Sequence, residues 1–264
     1  MNPLISDYFK HIGYNKTPTA NLETLKELHL LHTLKIPFEN LNPFLDREVT
    51  LKSEDIFEKM ITNNRGGYCF EQNNLFLTVL KKIGFKAKGL GARVLWNQDE
   101  NLITRRSHML IELEIEGKCY IADVGFGGLT LTTPLLFEVD LEQKTTHEVF
   151  KISQVEQDFK LQVMIKGEWK TLYRFDRQEQ FLADYEVVNY YLSNHPESIF
   201  KTTLIAATPT KDGRMALRNN QFTYHKINGE SETITLKSEK EIKDILVNQF
   251  KIHLPQNCDL GRVC

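Results

Sequence analysis

Arg65-Gly66-Gly67-Tyr68-Cys69-Phe70-Glu71-Gln72-Asn73 is the stretch on which the reading turns, because it sets a cysteine where a helix begins. Behind it Leu75, Phe76, Val79, Leu80 and Ile83 recur at helical spacing, and Gly84 after Lys81-Lys82 is a stop signal. Cys69 therefore belongs to the first turn. There the unpaired N–H groups and the positive end of the helix dipole favour a thiolate, the form that acts as a nucleophile. Gly66 and Gly67 allow a tight turn and let a substrate approach the backbone. A small buried thiol without chemistry is the competing reading of a lone cysteine, and the stretch alone leaves both open.

Upstream, Leu4, Ile5, Tyr8, Phe9 and Ile12 predict one helix, and Leu22, Leu25, Leu28 and Leu31 predict a second after Thr17-Pro18. His29 and His32 lie three apart on it; with no third ligand at a recognisable spacing they read as helix-surface histidines rather than a metal site. Pro37 closes this helix, and Pro37-Phe38-Glu39-Asn40-Leu41 reads as a loop. Ser53 is the expected cap of a third helix that buries Ile56, Phe57, Met60 and Ile61. Residues 1–83 thus form a helical unit.

From Phe85 the period drops to two. Strands are expected near 86–96, 106–116, 118–125, 148–155, 158–165 and 169–175, with turns at Glu116-Gly117-Lys118 and Lys166-Gly167-Glu168. Many short antiparallel strands point to a barrel or sandwich. A helix carrying Phe181, Tyr185, Val188 and Leu192 ends before His195-Pro196. The remainder mixes strands near 203–207, 221–227 and 231–236, an Asn228-Gly229 turn, and a helix with Ile242, Ile245, Leu246 and Phe250. The chain is α+β in three parts, 1–83, 84–195 and 196–264.

With 41% hydrophobic and 26% charged residues and a formal net charge of -2 over 264 residues, nothing suggests a polyanionic partner. The basic clusters Lys81-Lys82, Lys86/Lys88 and Arg105-Arg106 are too short for a nucleic-acid footprint. The start MNPLISDYFKHIGY has no basic head before a long apolar run, so no signal peptide is expected, and no stretch nears the ~20 apolar residues of a membrane span. Cysteines at 69, 119, 258 and 264 make neither a CxxC pair nor a disulfide framework. A reducing, cytoplasmic setting follows.

A cysteine nucleophile needs a base and a third group to orient that base. His108 opens one strand of the 107–126 hairpin, and Asp123 lies near the end of the other, within the apolar run Tyr120 to Phe126, where an unpaired aspartate is poorly tolerated. If Glu116-Gly117 is a two-residue turn, Asp123 faces Leu110 and lies diagonal to His108 on the same side. Yet Met109, Ile111, Leu113 and Ile115 form an apolar face whose match to Cys119, Ile121 and Asp123 needs a three-residue turn, which points His108 away. A bulge near Ser107 to Met109 reconciles the two. A buried His-Asp pair without a catalytic role stays open.

Together with Pro37-Phe38-Glu39-Asn40-Leu41, the Arg65–Asn73 stretch, Ala92-Arg93-Val94, His108, Asp123-Val124-Gly125-Phe126-Gly127 and His195-Pro196-Glu197-Ser198, the sequence resembles the arylamine N-acetyltransferase family, bacterial type. The resemblance implies a helical N-terminal domain, an antiparallel β-barrel, and an α/β lid over 196–264 around a transglutaminase-like or papain-like core. It also implies a triad of Cys69, His108 and Asp123. Acetyl-CoA would be the cosubstrate, with no metal, and a Cys69 thioester would pass acetyl by a ping-pong mechanism to an arylamine or arylhydrazine, as in xenobiotic metabolism. Phe38, Val94 and Phe126 would line the acceptor pocket. The Cys69 N–H, with a donor from the Arg93-Val94 strand, would hold the oxyanion. Thr104, Arg105 and Arg106 precede His108 and suit either coenzyme A phosphates or a solvated loop. Glu39 and Arg65 read as a structural ion pair, and Cys119 as a core residue. The expected partners are coenzyme A and a small amine, with neither nucleic acid nor membrane. A Cys-His-Asp amide synthase or hydrolase and a non-enzymatic redox-sensing fold are the alternatives.

Overall fold

The structure is a computed structural model that describes residues 3–227 and 229–263; Asn228 of the expected turn and Cys264 lie outside the described residues. The chain begins with α1 (Pro3–Ile12), α2 (Leu22–Lys35), the short strand β1 (Phe38–Glu39), α3 (Leu41–Phe44), α4 (Ser53–Phe57), which widens into a π turn over Glu58–Thr62, and α5 (Cys69–Ile83). Tyr8, Phe9, Ile12, Leu25, Leu28, Ile56, Met60 and Phe76 share one core. Two local expectations fail. Pro37–Leu41 is no loop, because Phe38 and Glu39 pair with Ala207 and Ala206 far along the chain and Leu41 starts a helical turn. Lys52 rather than Ser53 stands before α4 and no side chain caps it; Asn74 of α5 donates to Leu51 O at 3.0 Å and holds the entry instead.

Helix α5 starts and stops where the sequence places its ends. Tyr68 before it is extended, and the Glu71 carboxylate reaches back to accept the Tyr68 N–H at 3.1 Å. Gly84 ends it at φ 109°, a conformation costly for a residue with a Cβ, and donates to the Leu80 and Lys81 carbonyls.

Strands β2 (Lys86–Val94), β3 (His108–Ile115), β4 (Lys118–Ala122), β5 (Leu135–Leu136), β6 (Gln143–Lys144), β7 (Val149–Val155), β8 (Asp158–Ile165) and β9 (Glu168–Gln180) form one antiparallel sheet in the order β5-β4-β3-β2-β9-β8-β7-β6. It curls into a nearly closed barrel around Leu90, Leu110, Ile121, Phe150, Leu161 and Tyr173. At the seam, the Gln143 side chain accepts the Leu136 N–H at 2.7 Å and donates to the Leu136 carbonyl at 2.9 Å. One amide thus stands in for the ladder missing between the two edge strands.

The β3–β4 hairpin pairs Ile111 with Ala122, Leu113 with Tyr120 and Ile115 with Lys118, which makes Glu116-Gly117 a two-residue turn. Both turn residues have positive φ, 51° and 75°, matching the twist of tight hairpins. The bulge expected at Ser107 to Met109 is absent, since His108 pairs regularly with Ala92; a register shift lies instead in β2 between Leu90 and Ala92, against β9. No bulge is needed because β3 is buried on both sides. Met109, Ile111, Leu113 and Ile115 join the helical core and Leu110 joins the barrel core. Glu112, on the same face as Leu110, is buried and paired with Arg177 at 2.6 Å and Lys88 at 3.2 Å.

The remainder comprises α6 (Leu182–Asn194), α7 (Ile199–Thr202), β10 (Ile205–Thr210), β11 (Gly213–Arg218), β12 (Gln221–Lys226), β13 (Ser231–Thr235) and α8 (Glu239–Asn248). β10–β13 and β1 form a second sheet, ordered β1-β10-β11-β12-β13. β11 was not expected, its apolar alternation being confined to Met215 and Leu217 between a glycine and arginines. Tyr185 and Leu192 of α6 pack into the helical core, whereas Phe181 stays 63% exposed. Ile242, Leu246 and Phe250 close against Leu41, Phe44 and Leu204. No described helix is long and apolar enough to cross a membrane.

His29 and His32 are not surface residues; both are fully buried. Tyr8 Oη donates to His32 Nδ1 at 2.8 Å, His32 Nε2 donates to Gln72 Oε1 at 2.8 Å, and Gln72 Nε2 donates to Pro37 O at 2.8 Å. His29 Nε2 accepts the Asp123 N–H at 3.3 Å. Burial pushes their pKa values from 6.5 down to about 3 for His29 and about 4 for His32. Both are therefore neutral when folded, while the unfolded chain protonates them below about pH 6.5. Stability should fall as pH drops through that value toward 4, by up to about 1.4 kcal/mol per pH unit for each histidine. Denaturant titrations of wild type and His29→Gln between pH 7 and 4.5 check this, the variant being expected to show the shallower slope; equal slopes would contradict it.

Candidate active site

Asp123 follows β4 and has no exposed surface. Its Oδ2 accepts His108 Nε2 at 2.7 Å and Tyr173 Oη at 3.0 Å; its Oδ1 accepts Asn73 Nδ2 at 2.9 Å and the Gly125 N–H at 3.0 Å. Burial works against the charge, but His108 and these donors hold the carboxyl below the usual carboxylate range. His108, the first residue of β3, is 2% exposed. Burial would lower its pKa, yet Asp123 first and Cys69 second outweigh that and raise it from 6.5 to about 10. Cys69 adds to the same effect on the imidazole, and its Sγ donates to the Ser107 carbonyl at 3.6 Å. Cys69, 3% exposed at the start of α5, thus forms one buried set with His108 and Asp123. Such a set can shuttle a proton to and from a nucleophilic sulfur.

Three residues outside the sequence-predicted set position this line. Asn73 donates to Met109 O at 2.7 Å as well as to Asp123, and its Oδ1 accepts the Val124 N–H at 3.0 Å. Tyr173 sets its ring 4.9 Å from that of His108, tilted by 37°. Gly125 lies so close to α5 that a Cβ there would sit 2.9 Å from Cys69 Cα. Asn73 stands in the decisive stretch, so the polar run after the cysteine was a usable signal. Tyr173, on a strand of ordinary apolar alternation, offered none.

The glycines before Cys69 serve a different end from the one expected. A Cβ on Gly66 would meet Pro37 O at 1.9 Å, and one on Gly67 would meet Met60 Cε at 2.3 Å and Glu71 Oε2 at 2.7 Å. Their lack of a side chain admits the protein's own chain, not a substrate. Arg65 pairs with buried Glu39 at 2.7 Å, as a structural ion pair would. Cys119 is not in the core: it is half-buried, with Arg177 Nη2 3.3 Å from its Sγ.

Phe126 meets His108 edge-on, with centroids 5.2 Å apart at 90°. Phe38 lies against Gly127, beside Phe200. Val94 pairs with Tyr173 across the β2–β9 ladder. The 104–106 segment is engaged by the protein itself: Thr104 Oγ1 donates to Val94 O at 3.0 Å, Arg106 is paired with Asp176, and exposed Arg105 sits 4.5 Å over the Tyr191 ring. A cleft of about 600 Å³ opens elsewhere, among Asn42, Lys59, Arg65, Glu71 and His253. Lys59 and Arg65 there are already paired with Glu71 and Glu39. Among the described residues no group of three or more His, Cys, Asp or Glu gathers to hold a metal.

Residues 21–258 match the family model described as N-acetyltransferase. The chain is 37% identical over 251 residues to the arylamine N-acetyltransferase of Escherichia coli (strain K12), covering 95% of this chain and 89% of that protein. It is 36% identical to the arylamine N-acetyltransferase of Mycolicibacterium smegmatis, covering 95% and 92%. Among solved structures it is similar to the arylamine N-acetyltransferase of M. tuberculosis, with a TM-score of 0.94 at 34% identity and 98% coverage of each chain. It is equally similar to that of Mycobacterium marinum in complex with CoA, with a TM-score of 0.94 at 31% identity and 98% and 99% coverage.

Four donors on one carboxylate set an order of effects. Asp123→Asn turns one acceptor oxygen into a donor facing donors, so it should cost both turnover, by orders of magnitude, and stability, by about 2–4 kcal/mol. Tyr173→Phe removes one donor and leaves the His108 contact, so turnover should fall only about tenfold. Steady-state rates and denaturation midpoints of the two variants check the order. A Tyr173→Phe enzyme as impaired as Asp123→Asn would contradict it.

Proposed function

The chain belongs to the arylamine N-acetyltransferase family, and from that premise we propose that Cys69 carries an acetyl group from acetyl-CoA to an arylamine or arylhydrazine by a ping-pong mechanism. The observation that carries this reading is the buried His108–Asp123 pair at 2.7 Å, with Cys69 acting on the same imidazole. The Cys69 thiolate attacks the thioester carbonyl, a tetrahedral oxyanion forms, and coenzyme A leaves as its thiol with the proton from the His108 imidazolium. The amine nitrogen then attacks acetyl-Cys69, His108 takes the surplus proton, and the amide departs as the Cys69 thiolate is restored. Asp123 keeps the imidazole in one orientation and stabilises its cation in both halves. The Cys69 N–H at the start of α5 is the natural donor to the oxyanion.

On the acceptor side, Phe126 edge-on to His108, Phe38 against Gly127 and Val94 opposite Tyr173 suit a flat aromatic amine. Of the three residues proposed for coenzyme A, exposed Arg105 is the one that phosphates reach without displacing Asp176, which holds Arg106. The division into 1–83, 84–195 and 196–264 gives the first part the nucleophile, the second the base and its orienting aspartate, and the third the work of a lid. Asn40 supports that arrangement by donating to Phe200 O at 2.9 Å and Thr203 O at 2.7 Å and accepting the Ile205 N–H at 2.7 Å. A covered site keeps water from the thioester between the two half-reactions. The reading fits a reducing, cytoplasmic setting, where Cys69 stays a free thiol.

Intact-mass measurement after mixing with acetyl-CoA, with no amine present, tests the reading. Wild type should gain one acetyl group and Cys69→Ala none, whereas acetylation at Cys119 would overturn the assignment. Phe126→Ala should raise the amine concentration needed for turnover far more than it slows acetylation of Cys69. Equal losses in both half-reactions would make Phe126 a packing residue only.

A further inference from the structure

The 123–130 loop, which carries Asp123 and Phe126, is held from a direction that the triad does not involve. Thr130 lies at its end, 3% exposed. Its Oγ1 donates to the Asp123 carbonyl at 3.0 Å and lies 3.3 Å from the Phe126 N–H that it accepts. Its own carbonyl accepts Arg214 Nη2 at 2.9 Å. Arg214 belongs to β11 of the C-terminal sheet and is itself 3% exposed. Glu148, just before β7, fixes the guanidinium through Nε at 2.7 Å and Nη2 at 2.5 Å. A second tie lies alongside: His147 Nε2 donates to Thr210 O at 2.7 Å while its Nδ1 faces the Thr132 hydroxyl at 3.2 Å.

Among the described residues Arg214 Nη1 finds no acceptor, although it is buried. A buried guanidinium with an unmet donor is a poor device for stability, and apolar replacement of such a pair is often neutral or stabilising. Its geometry serves placement better. The guanidinium fork is planar, and Glu148 orients it so that one N–H reaches the Thr130 carbonyl. From there the Thr130 hydroxyl passes the constraint to Asp123 and Phe126. The Asp123 carboxylate keeps its four donors whether or not this path exists, because none of them comes from Thr130 or Arg214. Among the described residues the Phe126 N–H has no comparable second anchor.

Resting on the acetyltransferase reading, we propose that Arg214 is a positioning residue through which the C-terminal sheet sets the acceptor side of the site, acting through Thr130 on Phe126. The lid is then more than a cover: its docking fixes the wall against which the amine packs. Loss of this path should leave the first half-reaction, acetylation of Cys69, nearly intact and weaken the second.

The test compares full-length Glu148→Gln, which keeps the Arg214–Thr130 contact, with the double variant Arg214→Met/Glu148→Gln, and sets both beside Thr130→Val and the triple combination. The Gln companion avoids leaving a carboxylate beside an apolar side chain. Relative to Glu148→Gln, the double variant should raise KM for an arylamine about tenfold while the single-turnover rate of Cys69 acetylation changes less than about twofold. Thr130→Val should do the same, and the triple variant should be no worse than Thr130→Val alone, since the two residues act in series. Hydrogen exchange gives a readout independent of activity: the Phe126 amide should lose protection in both variants while the Gly125 amide, bound to the Asp123 carboxylate, keeps it. An unchanged Phe126 amide with an unchanged KM would overturn the proposal, as would parallel losses in both half-reactions and in melting temperature. If wild type takes no acetyl group at Cys69, the functional reading fails, and the exchange result still decides whether Arg214 positions Phe126.

Discussion

The buried carboxylate of Asp123 is the constraint on which the rest of the molecule depends. An ionised carboxylate taken out of water costs several kcal/mol even after the protein relaxes around it. Each hydrogen bond to such a charge returns about 1.5–3 kcal/mol. Four donors are therefore enough to offset the cost, and fewer would leave it uncertain which form of the group the fold prefers. The donors come from α5 through Asn73, from β3 through His108, from β9 through Tyr173, and from the chain's own turn at Gly125. Satisfying one side chain thus fixes the helical part against the barrel. The same contacts hold His108 as a cation beside Cys69, so the arrangement that makes the charge tolerable is also the one that the chemistry uses.

The nucleophile is fixed with equal economy by the residues that follow it. Glu71, Gln72 and Asn73 are buried in the first turn of α5, and each points a different way. Glu71 meets Lys59 at 2.6 Å and the Tyr68 N–H, Gln72 meets His32 and the carbonyls of Ile36, Pro37 and Gly67, and Asn73 meets Asp123, Met109 and Val124. A helix start tied in three directions cannot rotate, and Cys69 shares its first turn. The close approaches at Gly66, Gly67 and Gly125 follow from the same demand, since any side chain there would push the start of α5 away from its supports.

Much of this was legible from residue order. The apolar period behind Cys69 and the stop at Gly84 place α5, and the isolated aspartate in an apolar run marks Asp123 as paired. What escaped did so for physical reasons. Strand β3 is buried on both faces, whereas matching its Met109–Ile115 face to Cys119, Ile121 and Asp123 takes one apolar face as the guide to register and so calls for a bulge; Glu112 on the other face is buried through Arg177 and Lys88. His29 and His32 looked like surface residues because a polar side chain gives no sign in sequence that Tyr8, Gln72 and the Asp123 N–H will meet it. Pro37–Leu41 read as a loop because its strand partner, Ala206-Ala207, lies more than a hundred residues away. Tyr173 and Arg214 were missed for a like reason, each acting on a partner far off in the chain.

The protonation state of His108 is the point at which the buried carboxylate acts on Cys69. Site-specific NMR of the imidazole in the resting protein, titrated from pH 6 to 11, measures it directly. Held by Asp123 and Cys69, the ring should remain an imidazolium at neutral pH and lose its proton near 10, and its pair with Asp123 should stabilise the fold fully below pH 6.5 and progressively less as pH rises through that value. A His108 ring that titrates near the ordinary 6.5 would mean that the buried carboxylate does not govern the histidine, and would contradict the account.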